Sequence, residues 1–522
     1  MKKFLIILPV LLFTATVFAS IEEDIIKFNA LLVSDWEKHN LTPVPEASDH
    51  TFLRRAMLDT RGMLPKPWEI RKFTADKSTD KRSRLIDSLL ESKEYADLMA
   101  MRYSDMFRIK SEFPINLWPN AVQAYHRYFW ENARQDRSFY TVARELLTSN
   151  GSNFRVPAAN FFRASANRTP SGLAQSTLLT FLGMRYENLS DSRKKAFEGF
   201  FQCIKFKSTD EWKEEIVYND NTQRTIKAGT PDGVDFTLKT PQNDPRKILA
   251  DWMTSPSNRY FARAYVNRVW YWFFGRGIVN PADDMPLPEN FWTKTKLVSV
   301  PGQQPSNPEL LEFLADFFVK NNGSTKKLVK LIMSSTAYNA DWKTVKNEQI
   351  LAEKRFAVFP VRRLDAEIFI DILCGVLGSF ESYSSVIPEP FTYLPRGTKA
   401  IQIADGSISS RMLDSFGRPP RDSGRISERK RIVDDSQRLF LMNSGWIYNN
   451  AGKFHRNNFG KKSRIKFEDQ INYTYLVILS RPASDKEIKI IKKYDRGMNR
   501  RGVLWNDLVW ALVNSKEFIY QH

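Results

Sequence analysis

The sequence predicts a mainly α-helical protein of two helical domains, with a small β excursion between them and long irregular loops between helices. Three observations carry that prediction. Apolar residues recur at three- and four-residue spacing over most of the chain. Between about 205 and 245 this pattern gives way to turn signals and short alternating runs. The 522 residues are too many for one ordinary domain, and 42% hydrophobic with 26% charged residues is a globular balance. The composition excludes a disulfide scaffold, a collagen and a multi-span membrane protein.

Lys2 and Lys3 precede an apolar run from Phe4 to Ala19, and Val17-Phe18-Ala19 supplies small residues for cleavage. Residues 1–20 therefore read as a signal peptide. The run is short for a bilayer span, which sets it against the alternative of an uncleaved anchor. Helical periodicity then covers 21–38, 49–59, 79–108, 117–148 and 169–201, punctuated by Pro65, Pro67, Pro114, Pro119 and Pro170. These segments make an N-terminal domain over 21–205.

In the linker 206–243, Tyr218-Asn-Asp-Asn-Thr222 and Gly229-Thr-Pro-Asp-Gly233 are turn signals. Thr225-Ile-Lys227 and Val234-Asp-Phe-Thr-Leu238 alternate as strands do. The second domain, 244–522, carries helical pattern at 244–274, 307–322, 324–336, 363–378, 434–443, 466–480, 484–496 and 503–518. Residues 280–306 and 380–432 read as long loops. A loop of the second length is functional or packed over the surface.

A faint repeat runs through the helices. Leu89-Leu-Glu-Ser92-Lys-Glu-Tyr95 resembles Leu512-Val-Asn-Ser515-Lys-Glu-Phe518, with a weaker copy at Ile332-Met-Ser-Ser335-Thr-Ala-Tyr338. The physical reading is a helix that ends at Ser and an aromatic residue, three positions on, that packs back against it.

Basic residues exceed acidic ones by 19, and by 17 once Lys2 and Lys3 are removed. That excess favours anionic partners. Nucleic acid is a poor candidate without a nucleic-acid motif. Cys203 and Cys374 cannot make a Cys-rich metal site, and whether they pair is open. His39, His50, His126, His455 and His522 are isolated, and Asp283 and Asp284 lack calcium-loop spacing. No metal ligand, cofactor or catalytic residue is assigned.

The candidate ligand-binding residues centre on the helix 363–378. Arg363, Glu367 and Asp371 share one face, and two carboxylates four apart need a cation. Arg362, Arg363 or the loop residues Arg418, Arg421 and Arg429 supply one, with Glu428 beside them. The arrangement reads as an acid/base pair or cation site, or else as a buried Arg–carboxylate lattice that pins the loop to the helix. The helix 258–274 shows a polar stripe of Arg259, Arg263 and Asn267, which suits anion binding or ordinary amphipathicity.

Several segments together resemble one exported bacterial pair, the domain-of-unknown-function families 1549 and 1553 of planctomycete-type cytochrome-associated proteins. The first match is Phe52-Leu-Arg-Arg-Ala-Met-Leu-Asp59-Thr-Arg-Gly62-Met-Leu-Pro65, with Phe181-Leu-Gly-Met-Arg185 further on. The second domain is similar through Asn267-Arg-Val-Trp270, Phe274-Gly-Arg-Gly277, Arg362-Arg-Leu-Asp-Ala-Glu367, Phe416-Gly-Arg-Pro419 and Leu479-Ser-Arg-Pro482. The resemblance implies a Cys-x-x-Cys-His haem attachment site after Arg185. This chain has Asn188-Leu-Ser-Asp191-Ser192 there, and Asn307 where relatives carry His. No haem is carried over.

The expectation is a periplasmic or secreted, non-haem accessory or binding protein. The family's setting beside exported sulfatase-like proteins implies service in degrading anionic or sulfated polysaccharide. Either the polysaccharide or such a protein would be the partner, with no transmembrane span after signal cleavage. The alternative is a hydrolase of anionic polysaccharide that uses second-domain carboxylates. Whether the protein is an enzyme stays open.

Overall fold

Helix boundaries follow caps legible in the sequence. In the helix Asp49–Arg61, the Ser48 side chain accepts from the Thr51 amide, and Gly62 ends the helix in a left-handed conformation. The computed structural model describes residues 7–220, 222–286, 304–343, 348–388, 390–432, 434–460, 464–496 and 501–522. Most of the expected 280–306 loop thus lies outside the described residues. Among those described, no helix is long and apolar enough to cross a membrane.

The architecture is mainly α. Several expected helices are broken by a cap into two. The 79–108 segment divides at Ser92 into Lys81–Leu90 and Lys93–Met106. The 117–148 segment divides at Asp136 into Pro119–Gln135 and Phe139–Thr148. The 244–274 segment divides into Pro245–Met253 and Arg259–Phe274, where Asn258 caps the second helix. Periodicity alone missed this because a capped corner preserves the apolar spacing on both sides.

A helix over Gly445–Phe459 was not expected. Its Gly and Asn residues have poor helix propensity. Ile447, Ala451 and Phe454 are buried along it, so packing overrides propensity. At Gly452 a Cβ would come within 2.9 Å of the Asn506 side chain, so the missing side chain lets the helix Arg501–Val513 approach.

The minor β of the described residues is three small antiparallel units, two of them near the expected linker. Ile204–Ser208 pairs with Glu215–Asn219, and Gly151–Ser152 adds a short edge. Arg224–Gly229 and Asp235–Thr240 form the expected hairpin, with Ile226 opposite Leu238.

The three repeat copies share one geometry. The Ser92, Ser335 and Ser515 hydroxyls donate to the carbonyls of Leu89, Ile332 and Leu512 at 2.6, 2.6 and 2.7 Å. Each also accepts from the amide three residues on, of Tyr95, Tyr338 and Phe518, at 3.2, 3.1 and 3.2 Å. One hydroxyl thus stops one helix and starts the next, and the aromatic side chain that follows is buried each time.

Two apolar clusters form the interior. The larger runs from Phe28 to Phe359, with Ala404 and Leu476, and so draws on residues on both sides of 206–243. The second runs from Leu364 to Phe518 but takes in Leu58, Leu98 and Met101 from the first half. The chain end returns to the same seam, where Tyr520–Gln521 pairs with Arg362–Arg363 and the Gln521 amide donates to Asp59. Cys203 and Cys374 are both buried and free.

Candidate functional site

The 411–432 loop packs on the helix Ala366–Leu377, and Phe416 stacks on Phe369 at 4.8 Å. Beneath it Arg429 donates to both oxygens of Glu367, at 2.5 and 3.0 Å, and to Asp105 at 2.6 Å. Arg421 donates to the other oxygen of Asp105 at 2.9 Å. Arg431 forms a two-bond pair with Asp365, at 2.9 and 3.3 Å.

The remaining expected residues go elsewhere. Arg363 meets no carboxylate, but donates to Gln437 and to the carbonyls of Phe416 and Lys430. Arg418 donates to Asp414 and to the Ile408 carbonyl. Glu428 accepts from the amide and hydroxyl of Ser423.

Asp371 meets none of the expected arginines. It accepts from the amides of Ala400 at 2.6 Å and Ile401 at 3.1 Å, at the start of a 3₁₀ turn. Free amides at a turn start give a carboxylate hydrogen-bond donors without a cation, and sequence spacing gives no sign of them. Burial pushes the Asp371 carboxyl up to about 7, against the pull of those two amides and Lys399. Burial also acts to raise Glu367, but Arg429 outweighs it and holds that carboxyl below its ordinary range. Glu367 and Asp371 therefore share a helix but not a cation.

The lattice opens on one side into an arginine-lined pocket of about 460 Å³, open solvent included. Met101, Arg102 and Asp105 reach it from the helix Lys93–Met106, and Arg268, Tyr271 and Trp272 from the helix Arg259–Phe274. Asp365 and the loop residues Arg425, Arg429 and Arg431 complete the charged lining. Five guanidinium groups and two carboxylates line it, and Glu367 and Glu187 pair with Arg429 and Arg425 from outside the lining.

Arg102 and Arg431 each keep a buried Nη1 with no hydrogen-bond partner. A buried guanidinium nitrogen without an acceptor is costly, so the pocket is short of acceptors. Burial lowers the Arg102 guanidinium to about 10, with Asp59 and Asp365 opposing, and it remains a cation at neutral pH. Burial acts to raise Asp365, but Arg431, Arg429 and Arg362 hold its carboxyl far below the usual range.

Sequence reading missed Arg102, Asp105, Arg268, Asp365, Arg425 and Arg431. A signal was present, because Arg102 and Asp105 stand three apart on the apolar-periodic helix. Charges on a buried face need partners, and those partners sit on segments remote in sequence.

The polar stripe 259–267 binds its own neighbours. Arg259 pairs with Glu312 and Asp316, and Arg263 with Glu312. Asn267 donates to the Val279 carbonyl and accepts from the Val279 amide.

In the stretch after Arg185, where the resemblance implies a haem attachment site, Asn188 donates to Asp284 and Ser190 caps the helix Asp191–Glu198. The stretch offers neither thiol nor imidazole, and Cys203 is buried among apolar residues, so these residues do not fit a covalently attached haem. The described residues also contain no group of three or more His, Cys, Asp or Glu able to hold a metal ion.

Residues 27–226 match the family described as protein of unknown function DUF1549, and residues 245–494 match the one described as protein of unknown function DUF1553. Searches of curated proteins and of solved structures find no significant match. The chain belongs to the paired families DUF1549 and DUF1553.

Proposed function

We propose that this is an exported, non-haem binding protein that takes an acidic group of an anionic or sulfated polysaccharide into the arginine pocket, as an accessory to its degradation. The observation that carries the reading is the pair of unpartnered buried Nη1 atoms, on Arg102 and Arg431, in a pocket lined by five arginines. A sulfate or carboxylate supplies the missing acceptors in the planar geometry that guanidinium groups favour. The basic excess of the whole chain draws polyanions toward it. The N-terminal Lys-Lys and apolar run support export.

No comparable observation favours the hydrolase reading. Arg429 occupies both Glu367 oxygens, two backbone amides occupy Asp371, and neither carboxylate lines the pocket.

The test is calorimetric titration with N-acetylglucosamine 6-sulfate against unsulfated N-acetylglucosamine. The sulfated sugar should bind more tightly. Arg425→Gln, at the half-exposed rim, should weaken that binding, while Lys486→Gln on a remote exposed site should not. Equal response to the two sugars, or an effect of Lys486→Gln as large as that of Arg425→Gln, overturns the reading.

A further inference from the structure

A second concavity differs from the arginine pocket in almost every chemical respect. It is an open groove of about 1700 Å³, solvent included, formed by residues 111–118, the 208–215 loop between two strands, and Val386–Ile387. Its cavity proper, about 960 Å³, stands at the upper end of ordinary small-molecule pockets.

Its apolar wall is aromatic. The Trp118 and Trp212 rings lie 4.7 Å apart, and Phe391 stands 5.5 Å from each. Trp212 is 61% exposed, and Phe113 at the rim is 81% exposed. A cluster of rings left partly in water, unlike a single exposed side chain, marks a candidate binding surface.

The backbone holds these side chains outward at a cost. Trp118 has φ 68° and ψ 148°, a region that glycine almost alone adopts. Asn116 and Lys213, which also line the groove, have φ of 58° and 63°. Such a conformation is strained for Trp118 above all and persists where its surroundings over-determine it. Here buried Leu117 and Pro119 hold both sides of Trp118, so its ring faces the groove and not the core.

The charge is the reverse of that in the arginine pocket. Five carboxylates line the groove against three cations. Arg163 and Arg168 both pair with Glu215, at 2.7 and 3.1 Å. The Lys213 ammonium lies 5.8 and 6.0 Å from the centres of the Trp118 and Trp212 rings. Glu112 keeps a buried Oε1 with no hydrogen-bond partner, an acceptor that lacks a donor. A polyanion is repelled by such a lining. A partner helix would require a continuous apolar floor, and a membrane surface would require a cationic rim.

We infer that this groove binds an uncharged stretch of a sugar chain. The C–H face of a pyranose ring stacks on the exposed Trp212, Trp118 stands at 61° to it as a side wall, and carboxylates of the lining, Glu112 first, accept the sugar hydroxyls. The inference does not depend on the arginine pocket.

It is tested by titrating the protein with cellohexaose and xylohexaose, followed by tryptophan fluorescence and calorimetry. At least one hexaose should bind and shift the tryptophan emission, and raised salt should not weaken it. Trp212→Ala, at an exposed site that leaves melting unchanged, should weaken binding about tenfold or more. Arg425→Gln should leave it intact. Absence of binding by both hexaoses, or binding indifferent to Trp212→Ala, overturns the inference. So does attachment to anionic vesicles or self-association that Trp212→Ala abolishes without any hexaose binding.

Discussion

Replacing Glu367 with alanine deletes the carboxylate that meets Arg429 through two hydrogen bonds, at a site where the glutamate is 1% and the arginine 8% exposed. Breaking a buried ion pair from one side costs about 3–5 kcal/mol, because the surviving charge stays in the interior. Arg429 keeps Asp105 at 2.6 Å, so the lower end applies, roughly 3 kcal/mol. Unfolding entropy is about 2 cal/mol/K per residue, or about 1 kcal/mol/K for the whole chain. The melting temperature of Glu367→Ala therefore falls by about 3 °C if the chain melts as one unit. It falls by about 9 °C if the roughly 155 residues of the second cluster, Leu364 to Phe518, melt alone. Calorimetry at pH 7 reads both the shift and the number of transitions. The double replacement Glu367→Met with Arg429→Met should recover part of the loss, since no uncompensated charge remains and Asp105 keeps Arg421. A melting temperature unchanged in Glu367→Ala refutes the reasoning.

Three further outcomes are expected. Ser335→Ala should cost about 1–2 kcal/mol in urea unfolding, because the fully buried hydroxyl serves both the Ile332 carbonyl and the Tyr338 amide, and an unchanged midpoint would show that the cap contributes nothing. Asp371, with a folded-state pKa of about 7 above an ordinary value near 4, favours folding below about pH 4 and loses that contribution as pH rises toward 7. Asp365 and Glu367, held low, act in the opposite sense, and their contribution is lost as pH falls below about 4. Urea midpoints between pH 5 and pH 7.5 should therefore fall less in Asp371→Asn than in the wild type, and parallel curves would remove Asp371 as the source. Protein matured in a host with cytochrome c assembly machinery should show no Soret band and no haem-sized mass addition, since the stretch Asn188 to Ser192 carries neither thiol nor imidazole.

Much of the local structure was legible in the sequence, and particular residues show why. Ser48, Ser92, Ser335 and Ser515 cap helices through atoms at most three residues away, so the information sits in a short window. The hairpin Arg224–Gly229 with Asp235–Thr240 was readable for the same reason. The Gly445–Phe459 helix was not, because its stability comes from what it packs against. Arg429 opposite Glu367 was among the pairings that charge alone suggested, because a buried guanidinium requires a carboxylate.

By itself the sequence determined the mainly helical class, the basic excess and the match to the paired families, all of which are short-range or additive properties of the chain. Only the tertiary structure decided which of several arginines meets which carboxylate. It gave Asp371 to two backbone amides, Arg363 to carbonyls, and Asp105 from the first half to Arg421 and Arg429 from the last quarter. It also gathered five arginines from segments up to about 330 residues apart into one pocket. The physical reason is that a buried charge specifies only that it needs a partner. Which partner it finds depends on where packing of the two apolar clusters brings the backbone, and that is a property of the whole fold.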